Sequence, residues 1–469
     1  MLSLLPAILT AGPGGGTHFE HDATPTAGQA FGSGLWWQAA IVFEGVRVRN
    51  TNRKGRARWK HWLGVLGPGL TAGAADDDPS GIATYAVVGA QYGNAFLWSA
   101  FVTWPLMACV QMACARVGLV SGEGLGAALR KKLPQWLSAV LIFALFAANG
   151  INIAADLAGM GEAMSMLHLG PALLYVVLFG VLLAVLGVRL PYASIARVLK
   201  WLALALAAYV IAAFLAKPDW GAVAHDVIAP PLPGGRDAWR ALVAILGTTI
   251  SPYLFYWQAG QEIEEQKEDG KTTARERSNA SRSEIIDRRV DVIAGTFASN
   301  VVMFFIILTA SLTLHAHGTT HIETTKDAAE ALRPVAGQGA YLLFTLGLLG
   351  TGLLAIPTLA GSAAYAFAET FHWRYGLNEK FRRAVPFYGV YVAAIIGGIV
   401  LNLAGVSAVH ALVWSAVVNG LLAPVILAAL VAVIVDRKLM KGQPSPVWMV
   451  VIVAFTAIVM AIAGVGMFL

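Results

Sequence analysis

Eleven apolar stretches, each about long enough to cross a bilayer as a helix, follow one another between residues 62 and 468. A spanning helix needs roughly 20 mostly apolar residues. The stretches run over about 62–92, 94–118, 135–165, 170–188, 191–216, 239–262, 290–314, 340–368, 385–404, 408–434 and 446–468. Only 13% of the chain is charged and 57% is hydrophobic, with mean hydropathy +0.65. A soluble domain carries about a quarter charged residues. This chain could not cover its own surface with polar groups, so the expected solvent is lipid and the expected class an all-α integral membrane protein.

The net charge of +6 would suggest a nucleic-acid partner in a soluble protein, but its distribution here points to topology instead. Cytoplasmic loops of membrane proteins collect lysine and arginine. With the N-terminus inside, only five of the 33 basic residues (Lys217, Arg236, Arg240, Lys326 and Arg333) fall in outside loops, and Arg116 ends span two. The expected topology is N-terminus cytoplasmic and C-terminus outside, in a bacterial inner membrane. Residues 1–60 read as a flexible cytoplasmic segment, rich in runs such as "GPGGG". "MLSLLPAILTAG" lacks a basic start and is too short to span, so it is not read as a signal peptide. Residues 61–468 form the membrane domain. Cys109 and Cys114 share one apolar run and read as small buried hydrophobes.

Eleven spans divide as five, five and one: 61–216, 238–434 and 445–468. Transporters built from two inverted five-helix halves bind substrate where the first helix of each half is broken. Both breaks are present. Span one is interrupted at "DDDPSG" (Asp76–Gly81), and span six at "GTTISPY" (Gly247–Tyr253). Proline removes a backbone donor and clashes with the preceding turn, while glycine relaxes the chain. Carbonyls freed at membrane depth are tolerated only when buried in protein or lining a cavity, where a cation can satisfy them. A single break is ordinarily just a kink. Two at matching places, one loaded with carboxylates, point to a site. Each intramembrane acid costs about 2.5–3.5 kcal/mol on insertion scales. Helical neighbours diverge by about 100°, so Asp76, Asp77 and Asp78 cannot all face one ion. One ligand, one supporting or gating group and one acid near a helix end are expected.

"GPG…DP" in span one, "T-x-x-P" in span six and "NIAADLAGMGEA" in span three resemble the Nramp family of divalent metal transporters. The resemblance covers all eleven spans and implies the LeuT-like inverted-repeat fold, with a divalent metal ion as substrate and no cofactor. It carries the family's metal-binding aspartate onto Asp78 and the backbone carbonyl ligand before it onto Ala75. The family's span-one asparagine ligand is absent, and Gly81 stands in its place. The span-six methionine ligand maps onto Ser251, its neighbouring carbonyl onto Thr248, and the two histidines onto Tyr253 and Gln258. In span three Asp156 matches the first acid of the family's proton pair, and Gly159 replaces the second.

These departures have a chemical direction. Thioether sulfur favours soft transition metals, whereas oxygen suits magnesium, calcium and manganese. Asp78, with Asp77 as a second candidate acid, Ser251, broken-helix carbonyls and water make an oxygen set. Magnesium is held in this style, through one or two carboxylates with several waters retained. Neither tyrosine nor glutamine accepts a proton near neutral pH. Asp156 alone is a thin relay, so uncoupled, gradient-driven transport of magnesium, manganese or both is expected. The alternatives are a proton-coupled importer of manganese or iron and a cation-coupled amino-acid transporter of the same fold. Three aspartates argue against the latter, since they would repel a substrate carboxylate.

Other residues are weighed against plainer roles. Asn419 in span ten could offer a carbonyl oxygen to the ion or make a helix–helix hydrogen bond, although the family's span-ten glutamine maps nearer Val417. Glu262, Glu264 and Glu265 read chiefly as a salt network with arginines such as Arg275 and Arg277, beside a solvated basic loop at 267–289. "HAHGTTH" (His315, His317, His321) could capture a metal at the outer surface, but nothing fixes its register. Tryptophans near span ends, Trp98, Trp104, Trp220, Trp239 and Trp373, read as interfacial anchors. No nucleophile–base constellation or H-E-x-x-H motif suggests an enzyme, and no obligate protein partner is indicated.

Overall fold

A computed structural model describes residues 68–168, 170–189, 206–320, 322, 325–331, 339–405 and 408–469. The expected flexible segment 1–60 and the first part of span five lie outside the described residues. All regular elements among the described residues are helices. The first half contains α1 (Pro68–Asp76), α2 (Pro79–Tyr92), α3 (Trp98–Arg116), α4 (Leu125–Arg130), α5 (Gln135–Met166), α6 (Ala172–Arg189) and α7 (Ala207–Leu215). A short α8 (Trp220–Ile228) leads into the second half. There follow α9 (Arg236–Thr249), α10 (Pro252–Glu268), α11 (Ala274–Arg277), α12 (Arg282–Thr313), α13 (Thr325–Glu330), α14 (Ala340–Phe371), α15 (Val385–Leu403) and α16 (Ala408–Ile434), and α17 (Val447–Gly466) closes the chain. Nine helical stretches among the described residues are long and apolar enough to cross a membrane. Span one is split into α1 and α2, and α7 lies in the described part of span five.

The packing follows the two-half plan. Span three (α5) lies along its counterpart, span eight (α14). Span one lies against span seven (α12), as span six (α9, α10) lies against span two (α3). Close approach depends on residues without side chains. Gly69 and Gly73 of α1 form a GxxxG stripe of the kind that lets helix backbones touch. A β-carbon at Gly69 would sit 2.6 Å from Val292 N, and one at Gly73 would collide with the Gly295 carbonyl. Gly247 of α9 meets α16 in the same way, at Ala416 and Gly420. The peripheral helices show the opposite character. Leu178 and Val181 on α6 and Phe455 and Ile458 on α17 are exposed, as a lipid-facing surface requires.

Two expected boundaries shift. Span six continues to Glu268, and span seven begins at Arg282 rather than 290. Its start is fixed by a capping box in which the Ser281 hydroxyl accepts the Glu284 N–H and the Glu284 side chain accepts the Ser281 N–H. The solvated loop expected at 267–289 is therefore shorter, and Arg288 lies within a helix. Cys109 and Cys114 are buried and unpaired, as expected.

Candidate functional site

The two breaks are built to one plan. In each, a helix ends, two residues link across, and a proline opens the next helix. Asp77 and Asp78 form the link before Pro79, and Ile250 and Ser251 the link before Pro252. Asp78 (φ −71°, ψ 169°) and Ser251 (φ −78°, ψ 132°) are both extended N-caps. A residue before proline is driven out of the helical region, and proline in the first turn sacrifices no helical hydrogen bond. The side chains then diverge in use. Asp78 Oδ1 caps α2 by accepting Gly81 N–H at 2.7 Å. Ser251 turns back on its own half, its hydroxyl donating to the carbonyls of Gly247 (2.6 Å) and Thr248 (2.8 Å).

All three aspartates are buried, and Asp78 turns to a different helix from Asp76 and Asp77. Asp78 Oδ2 accepts from Asn152 Nδ2 on α5 at 2.9 Å. Asp76 Oδ2 and Asp77 Oδ1 both meet the Ser299 hydroxyl of α12, at 2.7 and 3.1 Å. Among the described residues no three His, Cys, Asp or Glu side chains converge as a metal-holding group. Asp78 is bonded apart from the Asp76–Asp77 pair, with neutral oxygens near it. Such oxygens surround Gly81. The position a β-carbon would take there lies 3.2 Å from the Asp76 carbonyl, 3.3 Å from Thr248 Oγ1 and 3.5 Å from Asp78 Oδ1. The Ala75 carbonyl accepts the Tyr253 hydroxyl at 3.0 Å, which ties span six to span one.

Other singled-out residues border the same region. Asp156 is fully buried and neither carboxylate oxygen makes a well-formed hydrogen bond. It shares one face of α5 with Asn149 and Asn152, at helical spacings of three and four. Gly159 continues that face, its absent β-carbon 3.6 Å from Pro79 Cβ. On α16 the Ser415 hydroxyl lies 3.1 Å from that of Ser80, which also donates to the Leu412 carbonyl at 3.0 Å. Asn419 stands one turn beyond Ser415, buried, with Oδ1 unpartnered.

Below the break, Gln258 Nε2 donates to Glu262 Oε1 at 2.8 Å. Glu262 pairs with Arg288 at 2.7 Å, and Arg288 also holds Glu265 and Asp291. Asp291 accepts the Gly69 N–H at 2.7 Å, at the start of α1. The expected salt network thus exists with a different cation. Arg277 spends its guanidinium on the carbonyls of Gly122, Lys271 and Thr272, and Glu264 pairs with Lys267. Two of the three outer histidines bond backbone carbonyls instead of facing a common centre. His315 contacts the Ala90 carbonyl and His317 the Thr313 carbonyl, while His321 lies outside the described residues. Asn152, Ser299 and Arg288 were not singled out by the sequence. Asn152 lies four residues before Asp156 in the quoted span-three motif, which was its one visible signal.

Two helices broken in the same register, one in each half, with buried polar side chains gathered at both breaks, define the LeuT-like fold of membrane transporters. Solved structures share it. An Eremococcus coleocola manganese transporter, in complex with an aromatic bis-isothiourea compound, aligns over 88% of this chain and 87% of its own with TM-score 0.66 and 19% identity. A nucleobase-cation-symport-1 family transporter in a closed conformation aligns over 86% and 92% with TM-score 0.54 and 16% identity. The family model for natural resistance-associated macrophage protein-like sequences, Nramp, matches residues 69–469, and the chain belongs to that family. The divalent metal cation transporter MntH of Klebsiella pneumoniae (strain 342) is 30% identical over 359 residues, 74% of this chain and 82% of the relative. MntH of Brucella suis is 28% identical over 425 residues, 89% and 90% of the two chains. The protein is an integral membrane protein.

Proposed function

We propose that this protein carries divalent metal cations, magnesium and manganese, across a bacterial inner membrane by alternating access, without coupled protons. Its N-terminus is cytoplasmic and its C-terminus outside. The observation that carries this reading is the single carboxylate of Asp78, set among neutral oxygens at the Gly81 position, with Ser251 at the matching break. An ion held there by Asp78, the Thr248 and Ser251 oxygens and broken-helix carbonyls, including that of Ala75, keeps part of its water shell. Asp77 and Asn419 are the next candidate ligands, and Asp76 supports the link from its bond to Ser299. Tyr253 serves as a gate, releasing the Ala75 carbonyl when its hydroxyl moves away. Gln258 leads from the site toward Glu262.

A second reading, proton-coupled manganese import, is favoured by one observation: the Asp156 carboxylate, buried near the break without a well-formed hydrogen bond. Purified protein in proteoliposomes separates the two when magnesium, calcium and manganese influx are followed with an internal pH dye. Magnesium and manganese flux without acidification is expected. Manganese-only flux with proton entry would replace the first reading by the second. Asp78→Asn should abolish uptake of every ion, and undiminished uptake in that variant would remove the site assignment.

A further inference from the structure

We propose that the crevice between spans two, seven and eleven binds the phosphate-bearing headgroup of an anionic phospholipid. The crevice is shallow and open, and is lined by Arg116, Arg288 and Arg289 together with Met112, Ile285 and Met449. Three guanidinium groups gather at one apolar-walled opening, and among the described residues carboxylates pair with only one of them. Arg288 is held by Glu262, Glu265 and Asp291. Arg116 and Arg289 pair with no carboxylate among the described residues.

Arg116 donates to the carbonyls of Gln443 and Pro444, at 3.0 and 3.2 Å, and its Nε is a buried donor without an acceptor. Arg289 lies with its guanidinium 5.6 Å from the ring centre of Trp448, at the start of α17. Trp448, Val447 and Ile286 are all exposed on this side, so the crevice opens toward the bilayer at a span end. Tryptophan marks the headgroup level there. Basic pockets between membrane helices are suited to anionic headgroups, and the methionine and isoleucine walls suit the chain that follows. An occupant would sit beside Arg288, whose carboxylates join α10 and α12 to the start of α1. The site rests on the membrane reading alone and is independent of which ion is carried.

The test is native mass spectrometry of the full-length protein, titrated with phosphatidylglycerol and, separately, phosphatidylcholine. Phosphatidylglycerol should bind in preference. Arg116→Gln and Arg289→Gln should each weaken that binding about fivefold, the effect of one cation near an anionic surface. Arg116→Lys and Arg289→Lys, which keep the charge, should retain most of it, and Arg282→Gln on the exposed start of α12 should leave it unchanged. A double glutamine variant that binds phosphatidylglycerol like the parent would overturn the site. Displacement of the lipid by inorganic phosphate alone would overturn the lipid as its source and assign the crevice to a free anion.

Discussion

Asp78 owes its orientation to a neutral neighbour. Asn152 Nδ2 holds Asp78 Oδ2, while the α2 terminus holds Oδ1. A hydrogen bond to a charged group contributes about 1.5–3 kcal/mol. Asn152→Leu should therefore raise the KM for magnesium uptake about tenfold or more while the purified protein stays monodisperse. An unchanged KM would show that Asp78 needs no such partner. Ser251 makes a different prediction, because its hydroxyl is spent on its own helix end. Ser251→Met frees the Gly247 and Thr248 carbonyls and adds a soft sulfur. Competition assays should then shift preference toward manganese and cadmium over magnesium, and an unaltered ranking would defeat the soft-ligand argument. Asp78 stood out as a candidate because a carboxylate before proline in an apolar run is costly at membrane depth. Asn152 was not, since an amide gains its role only from what the fold sets opposite it.

The breaks in spans one and six were readable because proline and glycine act on the local backbone. Their common register, two residues and then proline, extends that local logic into a structural equivalence. The longer span seven was also signalled, by Ser281 and Glu284 at capping-box spacing, but the arginines and lysines around them looked like solvated loop. What the chain did not disclose is how closely its helices approach. At Gly73 the neighbouring group is the Gly295 backbone carbonyl, which cannot rotate away as a side chain would. Overpacking of this kind costs about 1–3 kcal/mol, occasionally more. Gly73→Ala should lower the thermal unfolding midpoint in detergent, whereas Gly150→Ala, where a β-carbon meets nothing within 4 Å, should not. Equal midpoints would mean that α1 is free to move off α12.

At the scale of the whole molecule, the charge distribution suggested an orientation and the spacing of the breaks suggested two halves. Neither identified Arg288 as the cation joining Glu262 and Glu265 of span six to Asp291 of span seven, which in turn holds the first turn of span one. Removing one partner from a buried ion pair costs about 3–5 kcal/mol because the remaining charge is stranded. Arg288→Ala should therefore depress the unfolding midpoint far more than Arg282→Ala at the exposed start of the same helix. Similar midpoints would reduce the cluster to surface ion pairs, which contribute little.

The same cluster limits how the sequence can change over generations. A lineage that lost Arg288 alone would leave the buried acid Glu262 without the cation that pairs with it and would take from Asp291 one of its partners. One that lost either acid would keep an arginine short of a partner. Arg288, Glu262, Glu265 and Asp291 are therefore expected to be inherited as one character, exchanged together or left untouched, although 29 positions separate Glu262 from Asp291.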